Sequence, residues 1–202
     1  QMCIRDSRWI RILYCYPEEI TDELIQVMKE EPKICHYLDL PIQHANDTIL
    51  KRMGRRTSKQ ELIDIVQKLR KEIPDICLRT TLITGFPGET QEQHEEVMEF
   101  IDTLEFDRLG AFTYSPEEDT PAATFEDQID EEVKEDRQAD IMELQQEIAF
   151  DKAEDMIGRE VLVMIEGKVA DENAYVGRTY RDAPNVDGLI SVSYTHLTLP
   201  TK

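Results

Sequence analysis

Four runs of strand-forming residues, each followed by a helical pattern, fill the stretch from Arg8 into the loop after Ser115. They are RWIRILYCYP, HYLDLPIQ, CLRTTLIT and FDRLGAFTYS, beginning near residues 8, 36, 77 and 107. Strands joined through helices lie parallel, with right-handed crossovers, because a short turn can only return the chain antiparallel. The alternation therefore predicts an α/β fold, either a βαβαβαβ sheet or an arc of a parallel barrel. In both, ligands sit beyond the carboxyl ends of the strands.

The helices carry their own start signals. TDELIQVMKEE places Leu24, Ile25 and Met28 behind a Thr21 N-cap, and NDTILKRMG is a short helix capped by Asn46 or Asp47 and stopped near Gly54. TSKQELIDIVQKLRKEI offers two capping-box pairings, Thr57 with Gln60 or Ser58 with Glu61, ahead of a stripe of Leu62, Ile65, Val66, Leu69 and Ile73. TQEQHEEVMEFIDTL buries Val97, Phe100, Ile101 and Leu104 behind Thr90.

After Pro121 the pattern changes. Residues 126–154 read as one long exposed linking helix, with Ile129, Val133, Ile141, Leu144 and Ile148 near helical spacing. From 155 to 192, REVLVMIEGKV, AYVGRTY and GLISV alternate apolar and polar residues between turn signals, which suits a small β-barrel. The expected division is an α/β unit over 8–125, the helix over 126–154 and the β-module over 155–192.

Charge narrows the partners. With 43 acidic and 23 basic residues the net charge is -20, and such a chain repels nucleic-acid phosphates. A basic protein is the better macromolecular partner. Cys3, Cys15, Cys35 and Cys77 show no C-x-x-C spacing and read as buried thiols of a reduced compartment. Without a signal-peptide pattern or an 18-residue apolar run, the expectation is a cytoplasmic protein with no membrane contact.

At the strand ends, Gln43 can donate and accept toward ribose hydroxyls, and His44 can titrate or bond a loop; both could equally satisfy local backbone groups. Lys51, Arg52, Arg55 and Arg56 form the densest basic cluster, able to clamp a carboxylate or phosphate, or to answer a helix dipole in solvent. Thr80, Thr81 and Thr84 line the third strand; Gly85 permits close approach to backbone and Gly88 a sharp turn. No Lys-Ser or Lys-Thr follows Gly88 and there is no G-x-G-x-x-G, so neither nucleotide loop is present. His36, His44, His94 and His196 lack metal spacing, and Ser115 lacks a nucleophile-elbow context. No catalytic constellation assembles within the chain, and no metal site is expected.

Residues 1–7, QMCIRDS, and roughly 193–202, SYTHLTLPTK, resemble translated adapter read-through and are expected to be non-native. Cys3 and His196 then carry no functional weight, and the chain is expected to be a piece of a longer protein.

Taken together, YLDLPIQHANDTILKRMGRRTS, LRTTLITGFPGET and FDRLGAFTYSPEEDTPAA resemble the later half of the radical S-adenosylmethionine domain of methylthiotransferases. The resemblance covers Arg8 to Val192, the end module resembling a TRAM domain. It implies a partial (βα) barrel truncated at its N-terminal half, whose C-x-x-x-C-x-x-C cluster loop is absent from this chain. Thr81-x-Ile83-x-Gly85 resembles the element that lies against the adenine; Thr81 replaces its first glycine and the acidic residue falls one place late, at Glu89. The implied cofactor contacts are Gln43 near the ribose and methionyl part, Arg55 on the carboxylate, and Thr81, Ile83, Gly85 and Phe86 along the adenosine. Gly85 would be glycine because a base must lie close to backbone.

The family has two branches, one acting on an adenosine of transfer RNA and one on the β-carbon of an aspartate of ribosomal protein S-twelve. PIQHAND, MGRRT and YVGRTYRDAPNVDG resemble the second. The module from Asp155 to Val192 holds four basic residues and seven acidic ones, a balance that suits a basic protein and not RNA. The resemblance implies S-adenosylmethionine cleaved at one 4Fe-4S cluster, with sulfur from a second, all cluster ligands lying outside this chain. The fragment alone is then expected to be inactive, and the protein monomeric. The competing readings are the transfer-RNA branch and a non-catalytic acidic adaptor that binds a basic protein.

Overall fold

The computed structural model describes residues 7–193 of the chain. The expected non-native ends, including Cys3 and His196, lie outside the described residues apart from Ser7 and Ser193. The α/β unit runs β1 (Ile10–Ile12), α1 (Asp22–Glu30), β2 (Ile34–Gln43), α2 (Asp47–Arg52), α3 (Lys59–Glu72), β3 (Cys77–Thr84), α4 (Gln91–Leu104), β4 (Arg108–Thr113) and α5 (Glu131–Glu154). Of the two candidate pairings before α3, Ser58 with Glu61 forms the capping box, and Thr90 forms a second one with Gln93 before α4. Thr21 caps α1, and Asn46 accepts from the amides of Thr48 and Ile49 to start α2.

All strand pairs are parallel, in the order β1-β2-β3-β4. Strands added in sequence through crossovers of one hand keep their helices on one face. That face holds the main core. Leu38 and Leu40 of β2, Leu78 and Leu82 of β3 and Leu109 and Ala111 of β4 pack with Met28, Leu62, Val66, Leu69, Val97 and Ile101 from the helices. Several of these are fully enclosed, and truncating one to alanine costs about 2–5 kcal/mol.

The opposite, concave face is the one a closed barrel would turn inward. It carries Tyr37 and Asp39 on β2, Cys77, Arg79, Thr81 and Ile83 on β3, and Arg108, Gly110 and Phe112 on β4. Phe112 is 58% exposed on this face.

The long helix is not an exposed linker. It begins at Glu131, later than expected, and lies along the edge of β4 with Lys134, Arg137, Ile141, Gln145 and Ile148 buried. Three of its side chains donate to carbonyls at that edge: Lys134 Nζ to Tyr114 at 3.0 Å, Gln138 Nε2 to Ala111 at 2.6 Å and Gln145 Nε2 to Phe106 at 2.9 Å. An unpaired strand edge needs such partners, so the helix buries amides and an ammonium where an apolar stripe would leave carbonyls unsatisfied.

The module forms a three-stranded antiparallel sheet of β5 (Met164–Lys168), β6 (Ala174–Arg178) and β7 (Ile190–Ser193), in the order β5-β6-β7. It is a sheet, not a closed barrel, among the described residues. Its β6–β7 loop packs on the end of the concave face where β2, β3 and β4 begin.

Candidate functional site

The carboxyl ends of β2, β3 and β4 converge on one side of the molecule. β2 ends in Gln43, held at φ +70°, and β3 runs into Gly85 at φ +69°. Arg55, just beyond α2, donates through Nε to Gln43 Oε1 at 2.5 Å and through a terminal nitrogen to the Pro41 carbonyl at 3.2 Å. Its guanidinium also lies 5.0 Å from the Tyr16 ring centre. Two of the expected contact residues are therefore one hydrogen-bonded unit, and among the described residues the remaining N–H groups of the fork have no acceptor, which leaves them for a carboxylate.

Thr81 and Ile83 lie on the concave face, half-buried, one step apart along β3. Ile83 pairs in register with Phe112 and Thr81 with Gly110. The pairing makes an apolar shelf, with the Phe112 ring and the Arg79 guanidinium 3.7 and 3.8 Å from where a Cβ at Gly110 would stand, a surface suited to a flat base. Phe112 escaped the sequence reading because a lone aromatic in a strand looks like core.

Gly85 and Phe86 sit differently. The space beside the Gly85 Cα is filled by the aliphatic stem of Lys134 from α5, so protein occupies the close approach expected of a base. Phe86 is buried against Ile49 and Tyr114, edge-on to Tyr114 at 5.2 Å and to Phe125 at 6.3 Å. Both shape the strand end from within, and the half-buried Ile83 packs against the same cluster as Phe86.

Glu89 organises the turn. Its Oε2 accepts the amide N–H of Gly85 at 2.5 Å and that of Phe86 at 3.1 Å, with its side chain 1% exposed. Arg137 of α5 lies 3.5 Å from the other carboxylate oxygen and donates to the Glu89 carbonyl at 3.1 Å. His44 Nε2 and His94 Nδ1 flank the same carboxylate at 4.0 and 3.9 Å, both without a hydrogen-bond partner among the described residues. His44 Nδ1 accepts the Asn46 amide at 2.9 Å, and His94 Nε2 meets Asp140 at 3.2 Å. The sequence placed the acidic residue of the motif here, but nothing in it announced Arg137 from 48 positions away.

Of the basic cluster, Arg52 is committed. It holds Asp127 with two parallel bonds of 2.8 and 2.9 Å, packs over the Phe125 ring and fills the space beside Gly88. That bond keeps the Asp127 carboxyl below the usual aspartate range. Lys51 and Arg56 are exposed.

S-adenosylmethionine fits the donor set on the concave face: an apolar shelf, the Thr81 hydroxyl, the Gln43 amide and spare guanidinium donors. The buried Tyr114 hydroxyl behind it has no partner among the described residues. Iron–sulfur ligands do not fit. No group of three or more His, Cys, Asp or Glu side chains converges among the described residues. Cys35 and Cys77 are buried by Tyr37 at the opposite end of the strands.

Comparison with known proteins agrees with the fold. The Radical SAM superfamily matches residues 2–101 and the TRAM domain matches residues 157–198. The chain is 63% identical, over 95% of its length, to the ribosomal protein uS12 methylthiotransferase RimO of Lachnoclostridium phytofermentans, and spans 44% of that protein. It is 53% identical over 94% of its length to the protein of the same name from Desulfitobacterium hafniense, spanning 42% of it. The chain thus covers less than half of these relatives. Among solved structures, coproporphyrinogen III oxidase (HemN) from Escherichia coli, a radical SAM enzyme, superimposes with a TM-score of 0.59 at 15% identity, covering 93% of this chain and 52% of that one. Elp3 from Methanocaldococcus infernus gives 0.52 at 12% identity, over 84% of this chain and 52% of that one. With a parallel arc whose strand ends carry these donors, and a TRAM domain behind it, the chain belongs to the radical SAM methylthiotransferase family, in which its curated relatives carry the name RimO.

Proposed function

We propose that this chain is the cofactor-holding arc and TRAM domain of an enzyme that adds a methylthio group to the β-carbon of an aspartate of ribosomal protein uS12. The observation that carries the reading is the concave face at Thr81, Ile83 and Phe112, bounded by the bonded pair Gln43–Arg55, in a chain so similar to uS12-modifying relatives. Bound there, S-adenosylmethionine would supply the radical that activates carbon and the methyl group of the product. The chain's own part is positional. Ile83 and Phe112 support the base, Thr81 and Gln43 bond the nucleoside, and Arg55 pairs with the carboxylate of the methionyl part. By itself the chain lacks cluster ligands among its described residues, and we take it to be inactive alone.

Charge supports a basic protein substrate, although on a different surface from the one composition suggested. In the module, Asp182 and Asp187 are turned inward with side chains 4% and 3% exposed, and Glu166 is paired with Arg178. Four exposed carboxylates remain there, Asp155, Glu160, Asp171 and Glu172. Between Ser115 and Val133, in the connection that leaves the carboxyl end of β4, stand eight exposed carboxylates with no lysine or arginine among them; Arg52 holds Asp127 and Lys134 holds Glu131, which leaves six. Both surfaces attract a cationic partner and repel RNA. No helix among the described residues is long and apolar enough to cross a membrane, consistent with work in the cytoplasm on a ribosomal protein.

The test is the full-length protein incubated anaerobically with iron, sulfide, S-adenosylmethionine, a reductant and either uS12 or transfer RNA. A methylthio mass gain on one aspartate of uS12 is expected. A gain on a transfer-RNA adenosine would instead assign the other branch. No turnover, with Gln43 and Arg55 replaceable without effect on cofactor binding, would leave the adaptor reading.

A further inference from the structure

The β6–β7 loop of the TRAM domain, Thr179 to Asp187, is built into the α/β unit. Ala183 is fully buried among Cys35, Tyr37 and Cys77 at the amino end of the concave face. Arg11 of β1 donates to the Thr179 and Tyr180 carbonyls at 3.3 and 3.0 Å and lies over the Tyr37 ring at 5.0 Å. Arg108 donates to Asp182 at 2.9 Å, and Arg181 to Asp107 at 2.6 Å. The loop is shaped beforehand: Asp182 accepts from the Thr179 amide and hydroxyl, and Asp187 from the Ala183 amide.

One of these contacts leads toward the candidate site. Asp187 Oδ2 accepts the Tyr37 hydroxyl at 2.7 Å, while its Oδ1 lies 3.7 Å from Arg79 Nε. Arg79, 15% exposed, turns its NH1 onto two acceptors of its own face: Asp39 Oδ1 at 3.0 Å and Thr81 Oγ1 at 3.3 Å. A guanidinium is planar and rigid, so the acceptor at one edge fixes where its other N–H groups point. Here the charge at the Nε edge belongs to the TRAM loop, an ion-pair contact at 3.7 Å, and the acceptor at the far end is a residue on the shelf. In so enclosed a site an arginine that lost one carboxylate would turn toward the other, Asp39, and give up its weakest bond, the one to Thr81.

We propose that Asp187 is a positioning residue: through Arg79 it sets the Thr81 hydroxyl, so that the TRAM domain forms the floor of the cofactor-binding arc as well as facing the substrate. The name of the ligand at Thr81 rests on the function proposed above; the coupling between Asp187 and Thr81 does not, and it is read without any ligand.

The experiment uses this chain with carbon-13 methyl labels at threonine, isoleucine, leucine, valine and alanine. Asp187→Asn keeps size and an acceptor for Tyr37 but removes the charge that holds Arg79. The Thr81 and Ile83 methyl resonances should move by several line widths, while those of Val66 and Leu69 in α3 stay in place. Arg79→Lys should move the same two resonances, and the double variant should move them no further than Arg79→Lys alone. A shift confined to Ala183 and Val186, with Thr81 unmoved, overturns the proposal. So does a shift of similar size at Val66 and Leu69 as at Thr81 in folded Asp187→Asn, which marks a purely structural role. If Asp187→Asn does not fold, Tyr37→Phe removes only the hydroxyl that orients Asp187; a smaller shift of Thr81 in the Arg79→Lys direction is expected, and none overturns the proposal. Failure of uS12 modification in the full-length assay leaves this result untouched, and the reverse is equally true.

Discussion

The carboxylate of Glu89 reaches back four residues to accept the amide of Gly85 at 2.5 Å, closing the turn at the end of β3 from inside the protein. Arg137 keeps that charge company from α5. Replacing Glu89 with alanine strands two amide donors and a guanidinium in a nearly dry site, a loss of about 3–5 kcal/mol. Glu89→Gln, which keeps one acceptor, should lose roughly half as much. The midpoint of urea unfolding measures both, and equal midpoints for Glu89→Ala and the parent would refute this role.

Gly85 faces two separate constraints. Its left-handed φ of +69° costs an alanine about 1–2 kcal/mol, and the Lys134 stem occupies the place of the new methyl. Gly85→Ala should therefore destabilise by more than the backbone term alone. In a Lys134→Ala background the added cost should fall to about 1–2 kcal/mol. A penalty of the same size in both backgrounds would mean that the lysine stem yields freely.

The edge of β4 offers a sharper contrast. Gln145→Leu conserves approximate volume and adds hydrophobicity, yet leaves the Phe106 carbonyl without its 2.9 Å donor. It should lower stability by about 1–3 kcal/mol, against the gain that burial of leucine would suggest. Chemical denaturation at fixed pH decides the sign.

Alkaline pH should loosen the contact between the TRAM loop and the sheet. Burial first, and the nearby Asp107 second, push the Cys77 thiol up to about 12, from 9.0 in an unfolded chain. Burial and the hydrogen bond to Asp187 also raise the Tyr37 phenol well above 10.0. A raised pKa holds the proton in the folded state, so the associated stability is complete below about pH 9 and declines as pH climbs toward 12. Thermal melts across that window should fall steadily, and Cys77→Ala should flatten the slope between 9 and 12. An unchanged slope in Cys77→Ala would assign the loss to other groups.

How much could be read beforehand follows from which forces were local. Apolar spacing and caps are local, and they gave α1, α3 and α4 to within a residue or two, with the four strands in their parallel order. Gln43 and Arg55, singled out as neighbours of one ligand, do meet. The nature of α5 was not legible, because its buried face is set by carbonyls of a strand distant in sequence. Lys134 and Gln145 look like solvent residues until those acceptors are in place. Asp182 and Asp187 misled for a similar reason: formal charge counts them on the surface, while Arg108 and Tyr37 draw them inside. Phe112 could have been found by alternation, since it shares the parity of Thr81's neighbour Gly110 and not that of Leu109.

The capping of β4 by α5 has a geometrical consequence. A parallel sheet ordinarily has two borders at which another strand can add, and a body with two such borders can polymerise without limit. Here the side chains of Lys134, Gln138 and Gln145 use up carbonyls along one border, leaving the three-residue β1 as the other. In terms of strand addition the sheet is close to monovalent. Any further strands must join beside Ile10–Ile12, and two copies that met there would satisfy one another and stop at a pair.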